Sequence, residues 1–265
     1  MKKKFIGIIG IVIIVVVILL VIFLGDKRLD LESDQVQTLY TYLGEVDVNR
    51  CGGLNAYTGE EVMYDTISNE NKLCMAYYAL SDDEKSSEST EVTTTNENDI
   101  NLCEIGEGIR LASDEDDNTC NYTVISENDL NNAYQKIYGQ ESPDEESFYI
   151  SSTEACFLEE GEYYCGNSET SKVTIVPEAT VYRLLNSASK KMNGDIVITD
   201  YYLRVSNNKC YANNSSNDEI STCSTALEGD TEVTREFVQE YGTLYEHTFK
   251  QDDNGDYYWY SSNLK

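Results

Sequence analysis

An α+β fold, with helices packed on a curved antiparallel sheet and stapled by disulfides, follows from three observations in the sequence. Serine-capped helical segments fall mainly in the first half, strand-like runs dominate after Ser147, and all eight cysteines lie beyond an N-terminal apolar run. Helices followed by strands in separate stretches are the pattern of α+β packing.

The chain opens with Lys2, Lys3 and Lys4, a tail of residues 1–4, and continues as an uncharged, proline-free apolar run over residues 5–25. At about 1.5 Å per residue, roughly 20 apolar residues cross about 30 Å of hydrocarbon. The run lacks the small-residue cleavage site of a signal peptide, and no cysteine follows it to take a lipid, so an uncleaved signal anchor is expected. Three lysines precede the span, whereas Lys27 and Arg28 after it are offset by Asp26 and Asp30. That bias places the N-terminus in the cytoplasm and everything from Asp26 onward outside the cell membrane, as a single-pass protein. Residues 26–33 then read as a juxtamembrane linker and 34–265 as one extracytoplasmic domain.

Serine caps mark the helices. Ser33 precedes Val36, Leu39, Tyr40 and Leu43 and Gly44 stops the run; Ser68 precedes Leu73, Cys74, Tyr77 and Tyr78; Ser126 with Asp129 precedes Leu130, Ala133, Tyr134 and Ile137, closed by Gly139. A later helix is expected over Thr231 to Tyr241. Between these, residues 81–99 carry almost no apolar side chain and no period, and read as a mobile acidic loop.

After Ser147 the texture is β. SFYISSTEACFL, EYYCG, SKVTIV and DIVITDYYLRV read as strands, and TLYEHTFKQ and YYWYSS flank an Asn254-Gly255 turn. Residues 181–192 fit either helix or strand; strand is preferred because Met192-Asn193-Gly194-Asp195 resembles a two-residue hairpin turn.

An even set of cysteines on the outside reads as a disulfide framework: Cys51, Cys74, Cys103, Cys120, Cys156, Cys165, Cys210 and Cys223. No C-x-x-C occurs and His247 is the only histidine, which argues against zinc and dithiol chemistry. Turn signals between consecutive cysteines favour sequential pairing, most clearly for Cys156 and Cys165, which face each other if the turn centres on Glu160 and Gly161.

At the C-terminal end, "LYEHTFKQDDNGDYYWYSSNL" is similar to the final hairpin of cystatin-like and NTF2-like sheets. With the MKKK-led apolar span, the chain resembles the small single-span surface proteins of low-GC Gram-positive bacteria. The resemblance implies location and a fold; it implies no activity and no site residue.

Function is bounded mostly by exclusion. Without the three N-terminal lysines, 16 basic residues stand against 48 acidic ones, a net charge of −32. Such a surface repels nucleic acid and anionic lipid surfaces, since phosphate binding depends on Lys and Arg. His247 is the sole base for a Ser-His-Asp mechanism, lies on an expected strand and reads as a sheet-face residue; with no G-x-S-x-G either, a non-catalytic protein is expected. The acidic runs at 114–118 and 252–256 offer oxygen donors but lack the spacing of a calcium loop, so neither a metal nor a cofactor is assigned. The aromatic run Tyr257, Tyr258, Trp259, Tyr260 is the candidate binding surface, since alternate rings leave opposite faces of a strand. A membrane-tethered module binding a protein or cell-wall glycan is one reading; a sensing or sequestering domain with a pocket between helices and sheet is the other.

Overall fold

The computed structural model describes residues 26–43, 51, 56–96, 98, 100–106, 108–113, 118–143, 147–169, 179–214, 218–227 and 232–265. The apolar run 5–25, Gly44, the acidic residues 114–117, the expected strand over 171–176 and Thr231 lie outside the described residues. Among the described residues no helix is long and apolar enough to cross a membrane.

The described chain begins with strand β1 (Lys27–Arg28), helix α1 (Asp34–Thr41), β2 (Val62–Met63) and α2 (Asn69–Ala79). Then come β3 (Ser86–Glu91), β4 (Thr94–Thr95), β5 (Asn101–Ile105), β6 (Ile109–Ala112) and β7 (Thr119–Ser126), which runs straight into α3 (Glu127–Tyr138). After β8 (Phe148–Tyr149), β9 (Glu154–Glu159) and β10 (Glu162–Asn167), two long strands follow, β11 (Thr180–Lys190) and β12 (Ile196–Ser206), with β13 (Lys209–Tyr211). Helices α4 (Ser221–Ala226) and α5 (Arg235–Tyr241) lead to the hairpin of β14 (Thr243–Gln251) and β15 (Tyr257–Leu264).

Three helices start where their serine caps predict, whereas the helix expected from Thr231 begins at Arg235. Ser33, Ser68 and Ser126 each accept the amide hydrogen three residues on, at Val36, Asn71 and Asp129, and Thr234 does the same for Phe237. Each cap satisfies a backbone donor that has no partner within the helix, a contribution of about 1 kcal/mol. Gly139 ends α3 at φ +65°, the left-handed region, and a Cβ there would meet the Tyr258 ring at 2.6 Å. Gly139→Ala is therefore expected to lower stability by more than the about 1–2 kcal/mol of the backbone strain alone and to displace Tyr258. Thermal melts and the chemical shifts of the Tyr258 ring would register the two effects.

All strand pairings are antiparallel, but they divide among three sheets, in place of the one curved sheet with helices packed on it that the sequence suggests. The largest runs β1-β11-β12-β14-β15-β2, with β13 also on β12; the others run β3-β7-β10-β9-β8 and β4-β5-β6. The expected mobile loop over 81–99 is one source of the difference. Ser86 to Glu91 form edge strand β3 on β7, with Thr94 and Thr95 paired to β5. An edge strand takes its stability from backbone pairing, so a Ser, Thr and Glu run with solvated side chains forms one without any apolar pattern. Part of the expected linker over 26–33 is likewise sheet: Lys27 pairs with Lys190 and Arg28 with Ser189, and the Leu29 amide donates to the Ala188 carbonyl.

The four disulfides are sequential: Cys51–Cys74, Cys103–Cys120, Cys156–Cys165 and Cys210–Cys223. Cys156 faces Cys165 and Phe157 faces Tyr164 across a turn in which Glu160 and Gly161 take φ +51° and +84°, the two-residue turn that keeps such a hairpin in register. Residues 181–190 are strand, and the expected SFYISSTEACFL strand is broken by bends at 150–153.

Strand β12 lies at the centre of the largest sheet and is buried along nearly all its length. Ile196, Ile198 and Tyr202 join the main core with α1, α2 and α3 residues such as Val36, Leu73 and Tyr134. Leu203, one residue out of phase, joins a second cluster with Phe237 and Val238 of α5 and the Cys210–Cys223 pair. Both faces of one strand thus carry apolar side chains, and among its buried polar residues, Thr199, Asp200, Arg204 and Ser206, Asp200 is the one acid.

Candidate functional site

Asp200 has no exposed surface, and five side chains converge on it or on its neighbours. On one oxygen, Oδ2, it accepts the hydroxyls of Tyr40 at 2.7 Å and Tyr57 at 2.6 Å, with Arg183 Nε at 3.4 Å. On the other, Oδ1, it meets His247 Nε2 at 2.9 Å. A carboxylate accepts only, so that nitrogen carries its hydrogen. His247 Nδ1 lies 2.7 Å from Ser262 Oγ, which accepts the Trp259 indole N–H at 2.9 Å. An indole donates only, so Ser262 Oγ accepts it, and hydrogen bonds run unbroken from Trp259 through Ser262 and His247 to Asp200.

The register explains why these groups meet. Asp200 pairs with Tyr245 and lies diagonal to His247, while His247 pairs with Ser262. The β14–β15 pairing shifts between Thr248 and Phe249, where Trp259 faces Phe249 but Ser261 faces Thr248, leaving Tyr260 as the extra residue. That bulge turns Trp259 and Ser262, three apart, onto the same buried face.

Burial would raise the Asp200 carboxyl, but the His247 hydrogen bond and charge, the Arg183 charge and the Tyr57 hydroxyl outweigh it and lower it to about 2. Burial also pushes the Tyr40 and Tyr57 phenols up, with Arg183 pulling the other way, so both remain donors to the carboxylate. The residue types are those of a hydrolytic triad, yet Asp200, His247 and Ser262 are each fully buried and the Ser262 oxygen already holds an indole hydrogen. The cluster locks β11, β12, β14 and β15 to α1 and presents no open nucleophile. Ser262→Ala would leave the Trp259 hydrogen and His247 Nδ1 unpaired, at an expected cost of about 1–3 kcal/mol in chemical denaturation.

The outer members of this cluster face a cleft. Tyr40, whose ring lies 4.2 Å beneath the Arg183 guanidinium, and Arg183 itself line a space of about 480 Å³ together with Tyr42, Tyr78, Gln37 and Lys136. A second space of about 700 Å³ is lined by Asn132, Gln135, Asp252, Asp256, Tyr257 and Tyr258. Tyr42, Glu84 and Lys136 border both. The two spaces therefore adjoin, and together they outline a groove between Arg183, α1, α3 and the tip of the last hairpin. Its carboxylates, Asp34, Glu84, Asp252 and Asp256, outnumber its cations, Lys136 and Arg183, and Arg183 is already engaged by Asp200. Burial and then the Asp256 charge raise the Tyr42 phenol.

The sequence-derived aromatic run divides. Tyr257 and Tyr258 line the groove, the first donating from its hydroxyl to the Gly194 carbonyl at 2.9 Å, the second packed on Gly139. Trp259 is core, and Tyr260 stands 37% exposed outside the groove with the Lys250 ammonium 3.2 Å over its ring. YYWY is therefore not one continuous stacking face. In the turn after β14, Asp252 Oδ1 accepts the Asn254 and Asp256 amides, a self-capped hairpin turn, and the described residues include no group of three or more His, Cys, Asp or Glu able to hold a metal. Sequence reasoning sets His247 aside as a sheet-face residue and misses Asp200, Arg183, Tyr40, Tyr57 and Ser262. The available signal is Asp200 itself, the one acid among the inward residues Ile196, Ile198, Tyr202 and Arg204 of a buried strand.

Compared with protein-family models, curated proteins and solved structures, the chain matches none.

Proposed function

We propose that this protein is a membrane-tethered, extracytoplasmic, non-catalytic binding domain that holds a neutral saccharide in the groove between α1, α3, β11 and the last hairpin. The observation that carries the reading is the groove lining: Tyr40, Tyr42, Tyr78, Tyr257 and Tyr258 beside Gln37, Asn132, Gln135 and carboxylates. Tyrosine offers an apolar ring for a sugar face and a hydroxyl at its rim, while amides and carboxylates pair with adjacent sugar hydroxyls. The excess of carboxylates disfavours polyanionic glycans. The tether is residues 5–25, with Lys2 to Lys4 in the cytoplasm. Burial of Trp259 and separation of Tyr260 weigh against a flat aromatic face and toward a pocket between helices and sheet.

The test is titration of residues 26–265, with disulfides formed, against neutral oligosaccharides and a sulfated polysaccharide. Tyr42→Ala and Tyr258→Ala are each expected to weaken binding of a neutral sugar about tenfold, near 1.4 kcal/mol. A wild-type domain that binds no neutral sugar, or prefers the sulfated one, overturns the ligand class.

A further inference from the structure

We infer that the hairpin tip between β11 and β12, with Met192 at its apex, rests in the headgroup layer of the same bilayer that residues 5–25 span. The inference rests on the membrane tether proposed above. Strand β1 runs antiparallel to β11 with Lys27 opposite Lys190, so moving back from Lys27 to Asp26 means moving toward the tip. The Asp26 carboxylate indeed meets Lys191 Nζ at 2.6 Å. Asp26, which follows the apolar run in the sequence, is thus held beside the tip by this ion pair and by the β1–β11 pairing next to it.

The chemistry of the tip suits that place. Met192 is 65% exposed, the most exposed of the large apolar side chains among the described residues. Lys190 and Lys191 precede it and Lys27 and Arg28 lie on the strand paired beside them, four of the few cations on a strongly acidic domain, and long basic side chains reach lipid phosphates while their stems lie against apolar surface. Tyr257 braces the tip through Gly194, and the Lys190 ammonium lies 5.4 Å from its ring. Asp195 and the turn at 252–256 stand at the same end of the sheet, since Ile196 pairs with Phe249, so the pole as a whole is close to neutral. Contact is therefore carried by Met192 entering the interface and depends little on anionic lipid.

The experiment uses the full chain in nanodiscs of brominated phosphatidylcholine, with and without phosphatidylglycerol. Met192→Trp places a reporter at the tip; wild type, whose single tryptophan Trp259 is buried, gives the baseline. Lys209→Trp reports the other end of β12, an 11-residue strand and so about 35 Å away. The added emission of Met192→Trp is expected to be blue-shifted and mostly lost to bromine quenching in both lipid mixtures, with Lys209→Trp unquenched. A chain retained in the disc whose Met192→Trp emission stays red and unquenched overturns this inference and leaves the tether standing. A chain that does not enter the disc overturns both.

Discussion

Replacing Asp200 with Asn is expected to lower the stability of the 26–265 domain by about 3–5 kcal/mol, the cost of leaving a buried cation without its counter-charge. Arg183, with a side chain only 7% exposed, has Asp200 as its ion-pair partner, and the amide that replaces one carboxylate oxygen would point hydrogens at donors: Tyr40, Tyr57 or His247. The same carboxyl sets an acid limit. Its folded value is lowered to about 2, below the ordinary range, so the charged form is favoured by folding. That stabilisation is complete above an unfolded value of about 4 and is lost as pH falls through the folded one. Urea midpoints of the wild type should therefore decline between about pH 4 and pH 2, and the Asn variant, lower throughout, should lack that part of the slope. A variant within about 1 kcal/mol of wild type would show that the cluster is not a stabilising centre.

Opening the Cys51–Cys74 bond is the second large effect. In the chain-entropy account a closed loop of 23 residues stabilises by about 3.4 kcal/mol and one of nine by about 2.6. Cys51→Ala with Cys74→Ala should thus destabilise more than Cys156→Ala with Cys165→Ala, although the latter removes the more obvious hairpin clasp. Denaturation of the two double variants side by side gives the order. The reverse order would mean that the β9–β10 register needs its sulfurs more than the loop entropy indicates.

Local signals carried well from sequence to structure, because caps and tight turns are decided within four or five residues. Ser33, Ser68 and Ser126 cap helices, and Cys156 to Cys165 and Asn254-Gly255 close hairpins. Polar edges did not carry, since β3 needs only a neighbour's backbone and its Ser and Thr side chains give no period. The buried cluster did not carry either, for a different reason. Its members are brought together across 47 residues from Asp200 to His247 and 160 from Tyr40 to Asp200, and nothing local marks a tyrosine as one that will donate to a distant carboxylate. The groove inherits that difficulty, because Tyr42 and Tyr258 become neighbours only through the finished packing of α1, α3 and the last hairpin.

The distances in sequence spanned by Asp200 also set an order of events during synthesis. Tyr40 and Tyr57 belong to the first elements synthesised, yet the carboxylate they serve arrives 160 and 143 residues later, and His247 and Ser262 later still. Until then α1 has no polar anchor for its inner face, and Arg183 has no counter-charge to enter the core with. The early helices must wait, loosely folded, for β12 and the final hairpin. The domain therefore matures as one late, cooperative closure, although its four disulfides, each closing a loop of 23 residues or fewer, are local enough to form before it.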